Sequence, residues 1–156
     1  MSNYEILFEA SYDRVVGKGV GITEKGQRFF ERFYENFFAL SEEVQTKFRN
    51  TDMQVQVGML EKSMYHLISF YVAKEASDYL RTMAEMHSKE RHDISPGFYD
   101  LWMDALVQTV RELDPEFEDK IELAWRIAMT PGLLYMKFYY DKPLPTKTEP
   151  TVADSA

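Results

Sequence analysis

Residues 27–95 contain no proline and one glycine, Gly58, and this stretch constrains the fold more than any other feature of the chain. Proline and glycine are the residues that most often interrupt helices, so a stretch this poor in both can form long helices without a break. No segment alternates apolar and polar residues for long enough to predict a sheet. The sequence therefore predicts an all-α fold.

Apolar residues recur at steps of three and four, the pattern of helices that bury one face. The residues before several of these runs, such as Asp52 and the Ser95–Pro96 pair, are typical of helix starts. The predicted segments are a first helix around Leu7–Val15, a second from about Thr23 to Leu40, a short turn from Ser41 to Phe48, a long helix after Asp52, a helix containing Leu80–His87, a helix from Ser95, and a last helix after Asp114–Pro115 that Pro131–Gly132 should kink.

The length of 156 residues predicts one domain, which we place at residues 1–141. From residue 142 onward the composition changes to Pro, Thr, Lys, Asp and Ser. Such a segment has too few apolar side chains to join a core, so we predict a disordered tail over residues 142–156.

The chain is acidic, with a net charge of −8 from 18 Lys and Arg against 26 Asp and Glu. This sign disfavours a nucleic-acid partner. The longest stretch without a charged residue, Ser63–Ala73, is shorter than the roughly 20 residues of a membrane span. The first ten residues lack the basic and apolar regions of a signal peptide, and the absence of cysteine excludes thiolate chemistry. We expect a cytoplasmic protein with no membrane partner.

His87 falls on the apolar face of its predicted helix, beside Leu80 and Met83. A histidine in such a place is either a core residue bonded to a backbone carbonyl or a ligand. The other histidines, His66 and His92, lie 21 and 5 residues away, which matches no zinc pattern. Haem needs one rigidly held imidazole and a large apolar slot. The 11 Phe, 10 Tyr and 9 Met could line that slot or fill an ordinary core, so both interpretations stay open at this point.

Two segments in the first half of the chain resemble bacterial globins. Residues 33–48, F-Y-E-N-F-F-A-L-S-E-E-V-Q-T-K-F, are similar to the second and third helices of that family. There a pocket-lining Tyr is followed fourteen residues later by the Phe that stacks on the haem, and these positions are Tyr34 and Phe48 here. The sequence T-D-M-Q-V-Q-V-G-M-L that follows resembles the start of the distal helix, which places Gln56 over the iron and Leu60 one turn further on.

Two segments in the second half extend the resemblance, which spans residues 5–140. The sequence L-R-T-M-A-E-M-H-S-K-E-R-H-D-I-S-P-G-F-Y-D-L-W resembles the proximal helix, the loop after it and the next helix, with His87 as the iron ligand. The sequence A-W-R-I-A-M-T-P-G-L-L-Y-M resembles the last helix of proteobacterial single-domain globins. The resemblance implies a globin domain with a three-over-three helical sandwich and haem b (iron protoporphyrin IX) as cofactor.

The resemblance also implies roles for individual residues. His87 holds the iron, its other ring nitrogen donates to a carbonyl near Met83 or Ala84, and Tyr34 and Gln56 donate hydrogen bonds to a bound ligand. The remaining residues expected around the haem are Phe48, Leu60, Met83, Met86, Ile94, Phe98 and Trp102, with Arg91 or His92 near a propionate. The alternatives are an ordinary core for Tyr34 and Phe48 and a solvent-facing position for Gln56. Plain helix packing is the alternative for Met83, Met86, Ile94, Phe98 and Trp102.

The implied function is reversible binding of O₂, and of other diatomic gases such as NO, at a His-ligated iron. An alternative is an enzyme, a NO dioxygenase or peroxidase, that receives electrons from a separate reductase, because the chain lacks the reductase domain of flavohaemoglobins. A further alternative is a haem-free signalling module that keeps the fold. The Gly-Gly motifs of truncated globins are absent, which favours the full three-over-three arrangement.

Overall fold

The computed structural model describes residues 3–18 and 21–146, and every regular element within these ranges is a helix. The helices are α1 (Asn3–Val15), α2 (Glu24–Leu40), α3 (Glu42–Lys47), α4 (Met53–Ala73), α5 (Asp78–Met86), α6 (Pro96–Leu113) and α7 (Asp119–Phe138). The all-α prediction is therefore confirmed. Most of the predicted tail, residues 147–156, lies outside the described residues. Among those described, no helix is both long and apolar enough to cross a bilayer.

Local side chains start the helices where the sequence predicts. Thr23, Ser41 and Asp52 each accept a hydrogen bond from a backbone N–H in the first turn of the helix that follows. These caps satisfy donors that have no partner within the helix. Ser95 precedes α6 without a side-chain cap bond, and Pro96 fills the first helical position, where no N–H is needed.

One helix end differs from the prediction. The predicted fifth helix includes His87, whereas α5 ends at Met86 and His87 is its C-cap residue. The backbone N–H of His87 still donates to the carbonyl of Met83 at 3.0 Å, and the N–H of His92 donates back to the carbonyl of Met86 at 3.0 Å. The imidazole of His87 therefore projects from the junction between a short helix and a loop, and both determine its position.

Six of these helices form two layers of three, with α1, α4 and α5 in the first layer and α2, α6 and α7 in the second. Helices α1, α4 and α5 contact α7, and α1 and α4 also contact α2. Within the second layer α6 packs between α2 and α7. This arrangement confirms the predicted three-over-three sandwich. Helix α2 lies deep in it, since Phe29, Phe30 and Phe33 are completely buried.

Helices α4 and α7 cross closely at a glycine. A Cβ atom added to Gly132 would lie 2.4 Å from Cδ2 of Leu67 and 3.4 Å from its Cα. Leu67 is only 2% exposed, so its side chain has little room to move away. Helix α7 continues without interruption through Pro131 next to this crossing. The small residue at position 132 therefore sets how near the two helices come.

A buried polar network joins α1 to the end of α6 and to α7. Nε1 of Trp125 donates to Oγ of Ser11 at 2.8 Å, and Ser11 Oγ donates to Oδ2 of Asp114 at 2.6 Å. Arg14 adds two hydrogen bonds to the same carboxylate, at 2.7 and 2.9 Å. Burial raises the pKa of Asp114, but the bonds from Arg14, Ser11 and the N–H of Glu116 together lower it below its usual value. The carboxylate is therefore ionised and fully paired.

We predict that Gly132→Ala destabilises the protein and that Gly58→Ala does not. The first change forces Leu67 out of a packed position and should lower the free energy of unfolding by about 1–2 kcal/mol. Gly58 has nothing within 4 Å of its added Cβ and lies within α4, so Ala there should add about 0.5–1 kcal/mol. Urea unfolding followed by circular dichroism measures both values. Equal stability of the two variants would contradict the close crossing.

We predict that Asp114→Asn lowers the free energy of unfolding at pH 7 by about 3 kcal/mol, the low end for a broken buried ion pair, because Arg14 is a quarter exposed. The depressed pKa of Asp114 stabilises the fold above the unfolded-state value of about 3.9, and this contribution is lost as the pH falls through the folded-state value. The variant should lose less stability than the wild type over that acidic range. Glu9→Gln, an exposed change on α1, is the control and should leave the pH dependence unchanged.

Candidate functional site

One cavity lies between the two layers and collects most of the predicted site residues. Its volume is about 130 Å³, and part of it opens to solvent. Nine of the eleven predicted residues line it, namely Tyr34, Phe48, Gln56, Leu60, Met83, His87, Ile94, Phe98 and Trp102. The polar groups at its wall are few, so the cavity suits an apolar ligand.

The two remaining predicted residues lie elsewhere. Met86 is 42% exposed and lines an adjoining cavity that also reaches His87 and Phe48. Arg91 lines neither cavity, and its Nη2 lies 3.6 Å from Oε1 of Glu85 on the surface. The structure thus brings Met86 to the mouth of the site and leaves Arg91 outside it.

Eight residues line the main cavity that the sequence analysis did not assign. They are Phe37, Val44, Lys47, Ser63, Leu67, Tyr99, Leu133 and Met136. Ser63 and Leu67 extend the face of Leu60 by three and seven residues, and that helical spacing is a signal in the sequence that identifies them. Lys47 has no comparable signal, because its contribution depends on how α3 lies against α6.

Tyr34 and Gln56 form a hydrogen-bonded pair inside the cavity. Nε2 of Gln56 donates to Oη of Tyr34 at 3.0 Å. Tyr34 is 5% exposed, and burial raises its pKa to about 12, although the bond from Gln56 acts in the opposite direction. The phenol is therefore protonated at neutral pH, and because its oxygen accepts from Gln56, its own O–H is left to donate. Gln56 is half-buried here rather than facing solvent.

Phe48 connects the first helices to the cavity. It is the C-cap residue of α3, and its ring lies 5.6 Å from the ring of Tyr34 and 5.5 Å from that of Phe38, centroid to centroid. The side chain is only half-buried, so one part packs in this aromatic cluster and another faces the cavity. This places an exposed aromatic surface in the cavity wall.

The imidazole of His87 has an unpartnered nitrogen. Its Nδ1 atom is buried and, within the described part of the chain, makes no hydrogen bond. Burial lowers the pKa of His87, and the nearby His92 lowers it further. The carbonyl of Met83 opposes this shift, although it does not complete a hydrogen bond to Nδ1. The predicted hydrogen bond from the ring to a carbonyl near Met83 is therefore not formed. A neutral imidazole at the cavity wall is available as a metal ligand.

The charge around the cavity differs from that of the chain. Among the described residues, no Asp or Glu lines the main cavity or the adjoining one, although the chain carries a net charge of −8. Lys47 lines both cavities, with its Nζ 5.3 Å from the centre of the Phe98 ring, and exposed His92 lines the adjoining one. The mouth of the site therefore suits the anionic end of a ligand. In the same part of the chain no three His, Asp or Glu side chains group as a metal site would require.

Comparison with known proteins decides the family. A crystal structure of a Pseudomonas aeruginosa PAO1 protein, described as structurally highly homologous to a human hemoglobin, matches with a TM-score of 0.76 and 31% sequence identity. The match covers 88% of this chain and 98% of the other. The chain is a bacterial globin-like protein. No family model and no curated protein matches this globin.

Proposed function

We propose that this globin binds haem b and, through it, O₂ and other diatomic gases such as NO. The observation that carries the proposal is that His87, with its unpartnered buried nitrogen, lies in the wall of the same apolar cavity as the Tyr34–Gln56 pair. The likeness to a protein described as homologous to haemoglobin supports it. When bound, haem supplies an iron atom that takes up a diatomic gas.

The residues of the cavity fit this cofactor. A porphyrin needs an apolar slot for its ring, and the lining is largely aliphatic and aromatic. Its carboxylates need positive charge near solvent, which Lys47 provides and which Arg91, paired with Glu85, does not; the exposed His92 lies at the same mouth and can add a hydrogen bond. Phe48 offers a ring at the cavity wall on which a flat ligand can stack.

His87 is suited to hold the iron because its lowered pKa keeps the ring neutral at pH 7, with a lone pair on one nitrogen. Tyr34 and Gln56 are suited to the gas ligand. Each can direct a donor into the cavity, and the protonated Tyr34 O–H lies in a place with little water. Donors of this kind stabilise a ligand that gains negative charge over one that stays neutral.

The alternatives predicted from the sequence use the same residues. A NO dioxygenase or peroxidase would need the cavity of a gas-binding globin and electrons from another protein, and no feature of the described surface favours a reductase. A haem-free module would not need a neutral imidazole in a cavity without acidic residues. The reversible ligand-binding function therefore remains our proposal.

We predict that His87→Gly abolishes the Soret spectrum of a histidine-ligated haem after hemin is added, because no other side chain of the main cavity is an imidazole. Free imidazole should restore the spectrum by filling the space that the substitution opens. His66→Gln is the control, since His66 bonds to Ser77 through Nδ1 at 2.7 Å and lines neither cavity. A variant at position 87 with the wild-type spectrum would contradict the assignment.

We predict that Tyr34→Phe and Gln56→Leu each speed the dissociation of O₂ by about 5- to 10-fold, the equivalent of one hydrogen bond of about 1–1.5 kcal/mol. The dissociation of CO, which gains little charge, should change by less than about twofold. The double variant should lose less than the sum of the two single changes, because the side chains are bonded to each other. Stopped-flow ligand replacement measures the rates. If the dissociation rates of O₂ and CO changed equally, Tyr34 and Gln56 would act only by the space that they fill.

A further inference from the structure

Methionine side chains collect at the mouth of the site. Among the described residues, three methionines line the adjoining cavity, namely Met59 on α4 and Met83 and Met86 on α5. Met59 is 50% exposed and Met86 is 42% exposed. Met64 and Met129, by contrast, are completely buried in the core. Two thioethers are therefore open to solvent at the entrance to the site.

These thioethers are the groups that a peroxide can oxidise most readily. The chain contains no cysteine, so methionine supplies all of its sulfur and no thiol competes for an oxidant. Peroxides convert thioethers to sulfoxides. The O–O bond of the peroxide breaks as an S–O bond forms, the sulfur gives up an electron pair, and hydrogen peroxide leaves as water. Because the oxidant must reach the sulfur, the exposed Met59 and Met86 should react before the buried methionines.

Both residues lie next to side chains of the proposed function. Met59 follows Gln56 by about one turn of α4. Met86 directly precedes His87, and its carbonyl accepts the N–H of His92 at 3.0 Å. The cavity that Met59 and Met86 share also reaches Gln56 and His87. Oxidation of either sulfur would therefore take place beside the groups that are suited to the iron and to its gas ligand.

A sulfoxide changes the chemistry of this cavity. A thioether is apolar and adaptable, whereas a sulfoxide is polar and carries an oxygen that needs a hydrogen-bond donor. Most of the lining is apolar, and Lys47 is the only permanently charged side chain among the described residues that line it. The new oxygen would compete with the carboxylates of haem for that charge, and it would lose its bonds to water wherever the porphyrin covered it. Both effects disfavour the bound haem.

We propose that Met59 and Met86 form a peroxide-sensitive modification site, at which oxidation to methionine sulfoxide loosens the hold on the haem. The substrate of this site is a peroxide. The change is reversible, because methionine sulfoxide reductases return the sulfur to the thioether. The effect on haem rests on the proposed function, whereas the oxidation of the two sulfurs does not.

The experiment uses the full-length, haem-loaded protein, reduced and saturated with CO so that peroxide does not react at the iron. Hydrogen peroxide is added, catalase stops the reaction, and mass spectrometry of proteolytic fragments locates each added oxygen. We expect Met59 and Met86 to be oxidised before Met64 and Met129. After conversion to the ferric state, haem should transfer to excess apomyoglobin about fivefold faster than before oxidation, as for one lost hydrogen bond. Treatment with methionine sulfoxide reductase should restore the original rate.

Three variants separate the two sulfurs from other damage by peroxide. Met59→Leu combined with Met86→Leu keeps apolar side chains of similar volume, so its rate of haem transfer should not respond to peroxide. Met59→Gln combined with Met86→Gln places polar groups at both positions and should release haem rapidly without peroxide. Met53→Leu is the matched control, because Met53 also lies on α4, is half-buried and lines neither cavity. It should behave like the wild type, and urea unfolding of each variant detects a general loss of stability.

The results separate this proposal from the function on which it partly rests. If the wild type gives no histidine-ligated haem spectrum, the proposed function fails and the effect on haem fails with it, while the fragment masses still decide whether Met59 and Met86 react first. If the buried methionines are oxidised as fast as these two, the modification site is overturned. If peroxide speeds haem loss equally in the double leucine variant, or the double glutamine variant keeps the wild-type rate, the effect on haem is overturned although the function stands.

Discussion

The crossing of α4 and α7 at Leu67 and Gly132 is the contact on which the rest of the structure depends. Helix α4 carries Gln56 and Leu60 along one wall of the cavity, and α7 carries Leu133 and Met136 along another. Because a side chain at position 132 would collide with Leu67, the spacing of these walls is set by the absence of a single methyl group. Leu67 also lines the cavity, so the tightly packed crossing adjoins an open space, although protein interiors are otherwise close-packed.

Much of the fold and part of the site follow from signals that lie close together in the sequence. Thr23, Ser41 and Asp52 predicted helix starts correctly, because a cap bonds to its own first turn. Tyr34 could be assigned to the cavity only through the resemblance to a family, because an aromatic residue on a buried face has no distinguishing local pattern. The structure supplies what that pattern lacks, the bond from Gln56.

Other features depend on contacts that no local pattern encodes. Neither glycine nor asparagine follows α5, so its end at Met86 has no signal in the sequence. The loop beyond it is bonded far along the chain, where the N–H of Lys89 donates to the carbonyl of Tyr140. The prediction that Arg91 lies near a haem propionate depended on the path of this loop. In the structure it turns to Glu85 instead, and Lys47, from a different helix, brings positive charge to the mouth of the cavity.

The two tryptophans of the chain lie in different environments. Trp125 is fully buried against Phe8 and Phe29 and is bonded to Ser11, whereas Trp102 is half-buried in the cavity wall, with its ring 5.6 Å from that of Phe33. Their emission therefore reports on two separate regions. In the haem-free protein, a change confined to the cavity alters the fluorescence of Trp102, and a loosening of the contact between α1 and α7 alters that of Trp125. The molecule thus contains a pair of natural optical probes, one for the cavity wall and one for the packing of α1 on α7.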